Sequence, residues 1–89
     1  MTTEFYTLLS ALSAEFGPTG CECRVAALLE NELSGLCDCS RDRMGSLICH
    51  LPGKGEKLLL VAHMDEAGFM VTDIDDKGYL RIAPTGNAD

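Results

Sequence analysis

Basic charge is scarce in this sequence of 89 residues. Seven lysines and arginines stand against fourteen aspartates and glutamates, a net charge of −7. Nucleic acid and anionic membrane surfaces repel such a chain, so neither is expected as a partner. Long apolar runs are missing as well: none approaches the roughly 20 residues of a membrane span. The start, Met1-Thr2-Thr3-Glu4, has none of the basic residues that open a signal peptide. The expected setting is the cytoplasm. Internal repeats and low-complexity tracts are absent, and the chain is shorter than the common domain of roughly 100–150 residues. One small unit, residues 1–89, is expected. Yet 46% of it is hydrophobic, more than so short a chain can bury. Some of that surface is expected to face a partner or a missing remainder of the fold.

Cysteine, by contrast, is plentiful: Cys21, Cys23, Cys37, Cys39 and Cys49. An odd count without a secretion signal argues against a disulfide framework. Two C-x-C pairs suggest zinc, but Cys21 and Cys23 fall at the start of a predicted helix, where positions i and i+2 diverge. Five reduced thiols and no structural zinc are expected, which leaves a cysteine-metal domain as the third reading of function.

Phe5, Leu8, Leu9, Leu12 and Phe16 recur at helical spacing, which predicts a helix over residues 3 to about 15, stopped by Gly17-Pro18. Thr19 and Glu22 fit a capping box for a second helix carrying Val25, Leu28, Leu29 and Leu33 and ending at Gly35. From Leu36 the period changes. Residues 36–40 and 46–51 read as strands turned by Asp42-Arg43-Met44-Gly45, and 68–74 and 79–83 as strands turned by Asp75-Asp76-Lys77-Gly78. His50 reads as a packed or solvated strand residue. Lys54, between glycines in Pro52-Gly53-Lys54-Gly55, lies in a turn without phosphate-loop spacing, and the aspartates at 75 and 76 lack the spacing of a calcium loop.

The stretch that orders the rest is Leu58-Leu59-Leu60-Val61-Ala62-His63-Met64-Asp65-Glu66. A short unbroken apolar run predicts a strand buried on both faces, with residues 58–63 the most buried segment. Alternation puts His63 and Asp65 on one side, at the tip where α/β sheets present their chemistry. The fold class expected is α/β: two helices followed by about five strands.

Four strings then spell a resemblance: residues 16–22 (FGPTGCE), 42–48 (DRMGSLI), 61–71 (VAHMDEAGFMV) and 74–80 (IDDKGYL). Together they resemble the N-terminal segment of the tetrahedral aminopeptidases, also called glutamyl or deblocking aminopeptidases and sometimes labelled endoglucanases. Ser46, where that family usually has Asn, and Cys21 are minor departures.

The resemblance implies the N-terminal part of a zinc-peptidase α/β domain, with a peptide substrate. It implies a pair of divalent metal ions, zinc or cobalt, with His63 as a metal ligand. Asp65 becomes the catalytic-site carboxylate that holds a liganding imidazole, fixing its tautomer and raising its basicity. The remaining family ligands and the general-base glutamate lie downstream of the matching segment. The chain alone is therefore expected to hold no stable metal pair and to be inactive. It is also expected to self-associate or dock on its missing remainder, a twofold dimer being the simplest closure. The alternative function is a non-catalytic binding or assembly module derived from the same family.

Overall fold

The computed structural model describes residues 2–87. Helix α1 spans Thr3–Ala14, and the Thr2 hydroxyl accepts the Phe5 N–H at 3.3 Å to close its first turn. Glu15 leaves the helix in extended conformation ahead of Gly17-Pro18. Helix α2 spans Cys23–Leu33. Both helices fall where the apolar spacing puts them.

Among the described residues four strands follow, paired as two antiparallel hairpins: β1 (Asp38–Arg41) with β2 (Leu47–His50), and β3 (Gly68–Ile74) with β4 (Leu80–Thr85). One chemistry makes both turns. The Asp42 carboxylate accepts the N–H groups of Met44 and Ser46, and the Asp75 carboxylate those of Lys77 and Tyr79, all at 2.9 Å. Each turn closes at a glycine in the left-handed region, Gly45 at φ 88° and Gly78 at φ 85°. A register shift between Val71 and Asp73 bulges β3. Arg41 donates twice to one Glu30 oxygen, at 2.8 and 3.1 Å, fastening β1 to α2.

The expected fifth strand does not form. Leu58–Val61 is 83–84% exposed, the opposite of a most-buried segment, and pairs with no strand among the described residues. The cause is physical: a strand is held by its neighbours' backbone groups, and hairpins β1–β2 and β3–β4 close on themselves instead of flanking it. No central sheet forms among the described residues, only two separate two-stranded sheets. The capping box fails too, since the cap position of α2 is Glu22 and no side chain caps it.

Among the described residues only Gly17, Val25 and Ala26 are buried. The accessible surface is 7830 Å², against about 5,100 Å² for a compact monomer of 9.6 kDa. The radius of gyration, 17.1 Å, exceeds the roughly 12 Å of a compact 89-residue domain. This conformation leaves about 2,700 Å² that a closed fold would cover. The excess hydrophobicity of the sequence is thus on the outside.

Candidate functional site

Where α1 ends, Gly17 passes so close to α2 that a Cβ on it would lie 2.5 Å from the Val25 Cγ2. That approach brings the 17–20 loop alongside the chain after His63. The Glu66 N–H donates to the Gly17 carbonyl at 2.9 Å, and Pro18 and Glu66 form a parallel bridge. A side chain at Gly68 would meet Pro18 at 3.3 Å. In the sequence Gly17-Pro18 reads as a helix stop. In the fold it is also the seat of the 64–68 segment.

The Thr19 hydroxyl, expected to cap α2, instead donates to Asp65 Oδ2 at 2.7 Å. Glu22, its expected partner in the capping box, accepts the Gly20 N–H at 2.8 Å. Asp65 in turn faces His63: its Oδ1 lies 3.2 Å, and its backbone carbonyl 2.9 Å, from the His63 Nδ1. Both are acceptors, so the neutral imidazole carries its proton on Nδ1 and leaves the Nε2 lone pair free. The His63 side chain is 85% exposed and that of Asp65 is 32% exposed.

The Thr19 hydrogen bond is the main reason the Asp65 carboxyl titrates below its usual range. Partial desolvation opposes the shift, and His63 adds to it through charge and hydrogen bonding. A folded-state pKa that is lowered makes the contact most stabilising above the ordinary carboxylate pKa, and the contribution is lost as pH falls through the folded value. Replacing Thr19 by valine is expected to raise the Asp65 midpoint in a carboxyl-carbon NMR titration, and by more than His63→Ala does. An unmoved midpoint in Thr19→Val would show that the hydroxyl does not hold the carboxylate.

His63, Asp65, Glu22, Met44 and Cys49 line a cleft of about 380 Å³ between α2, the β1–β2 turn region and the 62–65 segment. As a metal site the cleft gathers no three candidate ligands around His63 among the described residues, although Glu22, Asp65 and Cys49 also line it. An imidazole fixed at Nδ1 by a carboxylate with Nε2 free has the chemistry of a ligand. Three or four protein donors are needed, and the one group of three candidate ligands gathered among the described residues is Cys37, Cys39 and Cys49. The described residues thus fit a single ligand position and do not make a closed metal-pair site. His50 lies at the end of β2 and joins neither group. No described helix is long and apolar enough to cross a membrane.

Residues 45–89 match the family model described as M42 glutamyl aminopeptidase. A lysyl aminopeptidase of Pyrococcus furiosus is 47% identical over 45 residues, 51% of this chain and 13% of its own length. An inferred aminopeptidase of Acetivibrio thermocellus is 38% identical over 84 residues, 93% of this chain and 26% of its own. Among solved structures, the TET aminopeptidase of the marine sediment archaeon Thaumarchaeota archaeon SCGC AB-539-E09 superposes with a TM-score of 0.88 at 29% identity. It is matched over 94% of this chain and 24% of its own. The Pyrococcus horikoshii TET1 peptidase, which assembles into a tetrahedron or a large octahedral shell, gives 0.85 at 33% identity over 94% of this chain and 26% of its own. This chain spans about a quarter of the length of those solved relatives.

Proposed function

This chain belongs to the M42 glutamyl aminopeptidase family, and on that premise we propose that residues 1–89 form the opening part of a metal-dependent aminopeptidase domain. The observation that carries the proposal is the Thr19–Asp65–His63 relay at the edge of the cleft. Thr19 holds Asp65, and Asp65 with its own carbonyl holds the His63 Nδ1–H, so that Nε2 faces outward as a donor. His63 is the metal ligand in this reading and Asp65 the residue that positions it. Divalent metal ions bound there would polarise a peptide carbonyl and activate water for attack on the first peptide bond. The chain's own residues orient one ligand and wall one side of the cleft.

The remaining ligands are proposed to come from the part of the fold that the longer relatives possess. That part would also cover Leu58–Val61, completing the strand that the apolar run encodes. A peptide substrate and a cytoplasmic setting follow from the same reading, as does assembly with further copies, which the shell-forming relatives support.

A chimera tests this. Residues 1–89 replace the matching quarter of the P. horikoshii TET1 peptidase, and release of an N-terminal residue is assayed with added divalent metal. The chimera is expected to be active, His63→Ala to fall to background, and Asp65→Ala to lose roughly 10–100-fold. A chimera that assembles normally without activity, while the parent works, would favour the alternative of an assembly module that has kept the fold and lost the chemistry.

A further inference from the structure

The β1–β2 hairpin collects three thiols that neither the fold nor the His63 cleft requires. Cys37 sits at the bend that leads into β1, two residues before Cys39. Cys49 is the direct partner of Cys39 in the antiparallel register. The result is three sulfurs on one side of the hairpin. Cys37 Sγ lies 3.8 Å from Cys39 Sγ, Cys39 Sγ lies 3.6 Å from Cys49 Sγ, and all three are within 4.8 Å of one another. The C-x-C pair at Cys21 and Cys23 takes no part; both of those side chains are exposed and separate.

We propose that Cys37, Cys39 and Cys49 form a trithiolate site for a thiophilic divalent cation of the zinc class, with a fourth position open to water. The sulfur spacing carries the assignment. Zinc–thiolate bonds of about 2.3 Å in tetrahedral geometry put neighbouring sulfurs about 3.8 Å apart. Two of the three edges already have that length, and the third needs to contract by about 1 Å at most. Thiolates also select zinc-class ions over the hard cations that prefer oxygen. A disulfide between Cys39 and Cys49 would use two of the sulfurs and leave Cys37 without a role, whereas a metal uses all three.

The site would be a staple. Cys37 stands four residues beyond the last residue of α2, with its N–H on the Leu33 carbonyl at 3.1 Å, so the ion would tie the end of that helix to both strands of the hairpin. Every ligand comes from the contiguous segment 37–49, and its turn closes locally through Asp42 and Gly45. Metal binding would therefore contribute to folding directly. Such a site would stand against the expectation of no structural zinc, which is drawn from the odd cysteine count and the helical placement of Cys21 and Cys23.

Cobalt(II) titration of the reduced full chain is the test. Sulfur-to-cobalt charge-transfer absorption is expected to saturate at one equivalent and to be displaced by zinc. With zinc bound, alkylation followed by peptide mapping should find Cys37, Cys39 and Cys49 protected and Cys21 and Cys23 modified. Cys39→Ser is expected to abolish the absorption, and a Cys21→Ser, Cys23→Ser double variant to retain it. No saturable band in the reduced wild-type chain would overturn the proposal. So would protection mapping to Cys21 and Cys23, or full binding by Cys39→Ser.

Discussion

The isolated 89-residue chain is expected to release no amine from an aminoacyl anilide, with or without millimolar zinc or cobalt. His63 is one imidazole, 85% exposed, and an exposed single donor cannot hold a metal against water and buffer. Catalysis by a metal pair needs ligands on both ions and a group to take the proton from water. Among the described residues the one acid paired with His63 is Asp65, and it is already committed to the Thr19 hydroxyl and the His63 ring. The proposed cysteine site does not change this expectation, because three thiolates bind a cation for structure and supply no second metal. The loss should be complete, not partial. Turnover that requires metal and disappears in His63→Ala, in protein free of host peptidases, would contradict it.

Self-association is the second large effect. About 2,700 Å² of surface beyond that of a compact monomer is open, and Leu58, Leu59, Leu60 and Val61 are each more than four-fifths exposed. A standard interface buries about 800 Å² per partner. One twofold contact would therefore cover less than a third of the excess, so association is expected to run past the dimer. Light scattering across a dilution series should show mass rising with concentration, accompanied by binding of a hydrophobic dye. Substituting Leu58 and Leu60 with lysine should lower the mass at a given concentration. A monodisperse monomer at high micromolar concentration that binds no dye would show that these elements close a core by themselves.

Local structure was legible in the sequence wherever it is made by neighbours in the chain. The apolar spacing from Phe5 to Leu12 located α1, and the repeated Asp-x-x-Gly pattern at 42–45 and 75–78 located both hairpin turns. In each turn the deciding hydrogen bonds span no more than four residues. Legibility failed where distant groups decide. Thr19 and Glu22 fit a capping box, but Asp65, 46 residues away, offers the Thr19 hydroxyl a charged acceptor. A charge-assisted hydrogen bond is stronger than a bond to a neutral acceptor. The run Leu58–Val61 has the composition of a buried strand, but composition supplies no neighbouring strand. The same limit applied to cysteine: C-x-C spacing was visible, while the meeting of Cys49 with Cys39 depends on hairpin register. His63 and Asp65 were found correctly as a pair in space. The threonine behind them was not.

One measurement bears most directly on the claim that this segment supplies a metal ligand to an aminopeptidase. The chimera described above would be crystallised with zinc and its anomalous scattering mapped. The expected result is a zinc peak about 2.0–2.1 Å from the His63 Nε2, with Nδ1 still on Asp65, Thr19 still on Asp65 Oδ2, and Leu58–Val61 paired within the completed sheet. A fully occupied metal pair with the His63 imidazole turned away, or Leu58–Val61 still facing solvent in the assembled particle, would contradict it.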